Sequence, residues 1–508
     1  MRGGQALTDG QVVTGTAYDD VPYVGHPHAE THPNRLAALA RLFGLDAPRV
    51  ETARILEVAC GDGANLIPIA YSLPRAHCVG FDLSATAVAR AQRRLQLPQL
   101  TNAEIRVADL LAPGAIGEFD YIIAHGLYSW VPQELRDALL ELIAGSLASN
   151  GIAFVSYNVY PGWHVGRMVR EMLRYHTGGA ADAATRIAQA RALLDFLAVA
   201  HDAADAYGAL LAAECGRIEK HSPGHLYHDD LADVNEPVYF HEFVAHADDF
   251  GLAFLAEADF STMSGAELPA AARLKLEVLR GDPVVHGQYL DFARCRRFRE
   301  TLLRRATTPA ANAPVPGSVR TLLAASAATA GAEPVNLAAG IEMQFQWGKR
   351  SSLRTDDPLA KATFVALRER WPEPVAFGAL LGSACALVGR DARPEDEVAL
   401  EGILLGAFGL RMVELTAERW RCAAEPGERP CASALARQEA DTDDVVTALT
   451  HRRVRIDEPL ALCLLRLCDG TRDEKQLSDA LAAQGYGIDR APLKQRLAGF
   501  ATLGLLEG

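Results

Sequence analysis

Residues 54–110 carry the pattern that most restricts the fold. Three short apolar runs each end at a polar residue: RILEVA (54–59) runs into CGDG, HCVGF (77–81) into Asp82, and EIRVA (104–108) into Asp109. Helix-forming stretches at 64–73 and 84–95 separate them, with Ser84 placed to cap the second. FDYIIA (119–124), a helical stretch at 133–147 and GIAFVSY (151–157) continue the alternation. Strands alternating with helices at this spacing predict an α/β fold, a parallel sheet with helices on both faces. Ligands of such sheets sit beyond the carboxyl ends of the strands. Residues 61–65, Asp82, Asp109, 125–130 and 158–163 all fall there.

The loop EVACGDG (57–63) has a physical task. Gly61 and Gly63 allow positive φ and a close approach of backbone to ligand. The helix that follows presents free N–H groups and the positive end of its dipole, which suit a carboxylate. Asp82 can accept bonds from two ribose hydroxyls, and Asp109 can read an adenine amino group. A dinucleotide enzyme also places an acid after its second strand, but expects GxGxxG, and here the third glycine is missing. An adenosyl amino acid suits the loop better. S-adenosylmethionine is therefore the expected cofactor, with the dinucleotide reading kept as the alternative.

Longer strings carry a family resemblance. YDDVPY (18–23), THPNRL (31–36), RLFGL (41–45), the glycine loop with LIPIA, HGLYSWVP (125–132) and SYNVYPGW (156–163) together resemble the bacterial methyltransferases that carry a methyltransferase regulatory domain. Their best-studied members are rickettsial protein lysine methyltransferases acting on an outer-membrane autotransporter. The likeness is weaker through 234–258 and RFRETLLR (297–304). It implies a Rossmann-like class I methyltransferase domain with a seven-stranded, mostly parallel sheet, a mainly helical middle domain and a winged-helix-like C-terminal region. The expected layout is a lid at 1–48, the cofactor domain at 49–178, the middle domain at 179–306, a linker at 307–355 and the C-terminal region at 356–508. The cofactor is expected to touch Tyr23, Glu57, Ala59, Cys60, Gly61, Gly63, Asn65, Asp82, Leu83, Asp109, Leu110 and His125. Tyr18 and Tyr23 are candidates to close over it. Ala59 replaces the first glycine of the family pattern, and its single methyl is small enough for the strand end.

Methyl transfer to an amine needs an in-line, dehydrated site, since a dry aromatic pocket favours the uncharged nucleophile. The fourth and fifth strand ends offer Tyr128, Trp130, Tyr157, Tyr160 and Trp163 as walls, and His125 as a proton acceptor. His125, Tyr128, Tyr157 and Trp163 are the catalytic candidates, with Asn158 beside them. His26, His28 and His32 with Glu30 look like metal ligands, but Pro27 and Pro33 oppose a regular helix that would gather them, so no metal is expected. The three His and three Asp of 221–233 read as a surface loop with capping acids. The arginine-rich 294–305 reads as a solvated helix, and 184–213 as helix packing. TTPAANAPVPGS (307–318) is the clearest break.

The net charge of −14 over 508 residues disfavours sequence-independent duplex binding. No basic recognition helix appears in QLSDALAAQ (476–484), so the tail is expected to serve protein contact or a homodimer, not nucleic acid. The nine cysteines form no CxxC pair, and no long apolar run marks a leader or a membrane span. A cytoplasmic enzyme methylating lysines of a protein is the leading expectation, and the resemblance implies an outer-membrane or secreted protein as a candidate acceptor. A small-molecule N- or O-methyltransferase comes next, then a catalytically silent regulator that binds the cofactor.

Overall fold

The computed structural model describes Val21, Tyr23 and residues 25–97, 100–200, 205–349 and 351–508. Tyr18 lies outside the described residues. Strand β1 (Arg54–Val58) is buried along nearly its whole length, as its apolar run requires of a central parallel strand. It pairs in parallel with β2 (His77–Asp82) on one side and with β4 (Phe119–Ala124) on the other. β3 (Ala103–Val107) adds outside β2, and the long β5 (Leu147–Asn158) adds beside β4. The full order is β3-β2-β1-β4-β5-β7-β6, where β6 is Leu252–Glu257 and β7 is Phe298–Arg305. β7 runs antiparallel to both of its neighbours. The strand order reverses between β1 and β4, which opens the ligand crevice at their carboxyl ends.

Two expectations change here. The sheet is not complete within 49–178, because its last two strands come from the stretch read as a separate middle domain. RFRETLLR is a strand, not a helix. Its alternate residues Arg299 and Thr301 turn to Glu257, at 2.6 and 2.9 Å. A two-residue period governs these side chains, and the arginines conceal it.

The helices Gly162–Thr177, Ala183–Ala200 and Ala206–Ile218 form a bundle around Val169, Leu173, Leu194, Leu211 and Ile218, the helix packing expected of the Ala-rich stretch. The segment read as a linker is also structured. Strand Leu323–Ala325 is the middle strand of a three-stranded sheet with Val375–Ala376 and Glu414–Thr416, backed by helices Pro358–Arg370, Phe377–Val388 and Pro394–Gly409. A second small unit pairs Val445–Thr447 with Arg453–Arg455 and packs them on three helices at 459–502.

The helix Pro33–Leu42 joins these parts. Its Leu36, Leu39 and Leu42 are fully buried in one core with Ile55 and Ile123 of the sheet and Phe364, Leu367 and Leu404 of the C-terminal region. THPNRL is therefore a buried joint, not a lid. Asn34 donates to the Glu418 carbonyl (2.9 Å) and accepts from the Glu418 amide (2.7 Å), while Arg35 donates to Glu414. His32 caps the helix, its Nδ1 accepting from the Asn34 amide and its Nε2 meeting the Ser72 hydroxyl.

Candidate active site

The cradle forms where β1 stops. Ala59, Gly61 and Gly63 all turn to positive φ (55°, 54° and 73°), so the residue at the first motif position keeps the glycine conformation with a methyl attached. At Gly61 nothing lies within 4 Å of where a Cβ would stand, which leaves the backbone open to a ligand. At Gly63 a Cβ would meet Ile105 and Ile67 at 2.7 and 2.8 Å, so that glycine serves close packing. Asp82 holds the loop, its two oxygens accepting from the Gly61 and Ser84 amides, each at 2.8 Å. Asp109 accepts from the Leu111 amide at 3.0 Å. Leu83 is 43% exposed directly after Asp82, an apolar surface on which a flat base could lie. Cys60 is buried in the loop, and Leu110 packs at the edge of the sheet core.

Behind the loop, Glu57 is buried and takes a bond from the Asn65 amide at 2.8 Å. Burial pushes its carboxyl up to about 8, against a smaller downward pull from that bond. The Asn65 carbonyl oxygen collects three donors from distant parts of the chain: the His28 amide (2.9 Å), the Thr31 hydroxyl (3.0 Å) and His451 Nε2 (2.9 Å) in the tautomer that carries its proton there. His451 is buried at φ 61°, on the connection between Val445–Thr447 and Arg453–Arg455. No sequence motif marks it.

The N-terminal segment crosses the loop. A Cβ on Gly25 would come within 2.8 Å of Ala64 and of the Asp62 carboxylate. Tyr23 packs its ring against His225 and His228 at 4.8 and 5.8 Å, and His228 Nε2 bonds to the Val21 carbonyl. The 221–233 stretch is thus not a surface loop. His228 and Asp230 are buried, and Asp230 binds His221 and Arg217. His28 stacks on His125 with ring centroids 3.6 Å apart. Burial first, then neighbouring positive charge, lowers His28 to about 2 and His125 to about 4. His125 is consequently a neutral wall and not a base tuned to neutral pH. The clustered histidines serve as wall and cap, and among the described residues no group of three metal-ligating side chains forms.

Two catalytic candidates face elsewhere. Tyr128 is buried, with its hydroxyl on His246 Nδ1 at 2.8 Å and its ring edge-on to Phe243. Tyr157 is buried, bonds Thr301 at 2.8 Å and stacks on Phe243 at 3.9 Å. Both fill the core on the other face of the sheet. Trp163 is 92% covered at the start of helix Gly162–Thr177, against Gly166. Asn158 bonds to Ser129 through its amide and to Asn235 through its side chain. Tyr160 stacks on His164 at 4.1 Å and lies 5.4 Å from the ring of Tyr239.

On the His125 face, β7 adds two residues. Phe298 lies 6.2 Å from His125. Glu300 sits opposite Ser156 in the β5–β7 register, and Ser156 accepts from the Gly126 amide at 2.8 Å. No sequence motif marks Glu300, which sits between Arg299 and Thr301 in an arginine-rich stretch.

This sheet order and this loop define a class I methyltransferase domain. Residues 55–151 match the methyltransferase domain model, 222–305 the predicted methyltransferase regulatory domain, and 428–486 the PKMT C-terminal winged helix domain. An uncharacterized protein of Rickettsia prowazekii is 40% identical over 297 residues, 58% of this chain and 53% of the relative. A second from the same organism is 34% identical over 233 residues, 46% of this chain and 93% of the relative. The match thus spans about half the length of the first relative. The structure of PKMT2 from Rickettsia typhi superposes with a TM-score of 0.85 at 26% identity, covering 96% of this chain and all of that one. PKMT2 has also been solved in complex with AdoHcy. The chain belongs to the methyltransferases that carry this regulatory domain together with the PKMT winged helix.

Among the described residues, no helix is long and apolar enough to cross a membrane.

Proposed function

We propose that the protein transfers methyl groups from S-adenosylmethionine to lysine side chains of a protein acceptor. The observation that carries this reading is the full-length likeness to PKMT2, a protein with an AdoHcy complex, combined with a loop that suits the same ligand. The open backbone at Gly61 would receive the amino-acid part, Asp82 the ribose and the 109–110 turn the base. Bound there, the cofactor supplies an electrophilic methyl on a sulfonium. The chain's own residues bind, orient and keep water away. The segment 25–28 and the stacked pair His28–His125 cover the crevice from above.

The test is incubation of the purified chain with methyl-labelled S-adenosylmethionine and a cell lysate, followed by mass spectrometry of labelled protein. Label on lysine residues is expected. Label confined to small molecules, or to no acceptor, would sink the reading. Asp82→Asn should raise the dissociation constant for S-adenosylhomocysteine at least tenfold, because a charge-assisted acceptor is lost; calorimetry checks it.

A further inference from the structure

We propose that Glu300 receives the acceptor's ammonium group and removes its proton before transfer. This rests on the lysine reading above and assigns a residue to its missing acid–base step. Strand parity fixes the face on which Glu300 lies. Arg299 and Thr301 turn to Glu257 on one face of the sheet, so Phe298 and Glu300 turn to the other. That is the face of His125, beneath the segment 25–31, at the carboxyl ends of β4 and β5.

Glu300 is mostly covered, yet among the described residues it makes no side-chain hydrogen bond and no ion pair. The contrast with its neighbours is informative. Arg294 is committed to Glu267, Arg296 and Arg299 to Glu257 and Asp291, and Arg297 to Glu214. Arg304 and Arg305 bond carbonyl oxygens. Among the described residues these arginines are committed elsewhere, and none of them forms an ion pair with Glu300. A covered carboxylate without a partner is unfavourable. The arrangement leaves a position for a cation brought from outside, and a lysine ammonium has the charge and the three donors to take it. Phe298 and the neutral rings of His28 and His125 offer a low-polarity wall for the alkyl chain.

The step balances. The carboxylate takes one proton from Nζ, which frees the nitrogen lone pair. The N–C bond to the methyl carbon forms as the S–C bond breaks, its electron pair stays on sulfur, and Glu300 then releases its proton to solvent. The charged groups that face Glu300 set when it is ionised. Burial first, then the charges of Glu30 on the preceding segment and Glu257 on β6, push its carboxyl up to about 8, and only Arg296 pulls it down. Near neutral pH the free site therefore holds a proton, and an arriving ammonium displaces it.

The experiment titrates n-butylamine, a lysine side-chain mimic, into the full chain saturated with S-adenosylhomocysteine. Binding should tighten about tenfold per pH unit from pH 6 to pH 7, with proton release seen in buffers of different ionisation enthalpy. Glu300→Gln should bind the amine at least tenfold more weakly and show no pH dependence, while its affinity for S-adenosylhomocysteine stays within twofold. With the acceptor from the labelled lysate, Glu300→Gln should lower the initial rate about 100-fold at pH 7.5 and recover as pH rises toward that of free lysine. Glu300→Asp should restore part of the rate. Equal amine binding by wild type and Glu300→Gln, or equal rates, would overturn the role of Glu300 and leave the lysine reading standing. Methyl found on no lysine with either protein would overturn the lysine reading itself.

Discussion

Ala59 shows how much one side chain can be asked to bear. At φ 55° an L-residue crowds its own backbone, and glycine does not. Ala59→Gly should stabilise the protein by about 1 kcal/mol in urea denaturation while leaving S-adenosylhomocysteine affinity within twofold. His32 poses a different residue-scale question. It is wholly buried, and burial followed by the Arg35 charge lowers it to about 3 from its ordinary 6.5. The unfolded chain therefore binds a proton that the folded chain refuses between those values, so stability drops as pH falls through that window. His32→Asn keeps an acceptor for the cap and removes the titrating ring. The wild type should lose about 1.4 kcal/mol more than this variant per pH unit between pH 6 and pH 4. Equal slopes in paired denaturation curves would contradict the burial argument.

At the scale of elements, the helix Pro33–Leu42 and strand β7 are where sequence and structure part company. The glycine loop, Asp82 and Asp109 were legible because each is local, a turn or a strand end read from a few adjacent residues. Asn34 was not, since its partners sit at 417–418, nearly four hundred residues away. Its two hydrogen bonds to the Glu418 backbone lead to a further expectation. Asn34→Ala strands a buried amide and a carbonyl, and should cost about 2–3 kcal/mol by chemical denaturation. β7 was misread because Arg299 is a charged residue at an inward position, made stable there by Glu257 and Asp291 at 2.6 and 2.8 Å. Tyr157 was misjudged for a related reason. It follows Ser156 on one strand, so the two must face opposite sides, and only Ser156 can belong to the His125 face. That parity was available from the sequence; which face held the site was not.

The whole molecule is tied to its cofactor loop through Asn65. One oxygen there joins the N-terminal segment, the loop and the C-terminal region by way of His28, Thr31 and His451. Arg94 adds a second tie, reaching Asp62 in the loop and Glu439 in the C-terminal region. A ligand that orders the loop should therefore order residues 448–452 as well. Hydrogen exchange should show S-adenosylhomocysteine protecting both stretches in the wild type. In His451→Ala the distal protection should vanish, and the dissociation constant should rise about fivefold or more. Retained protection at 448–452 would mean that the two regions respond independently.

The same tie has a consequence for how the protein is made. Asn65 and His451 are 386 residues apart. At ordinary translation rates of about 5–20 residues per second, the loop waits on the order of 20–80 s for this partner. During that interval the nascent chain has the glycine turn without the contact that braces it from behind, so the cradle is completed only once residue 451 has been made.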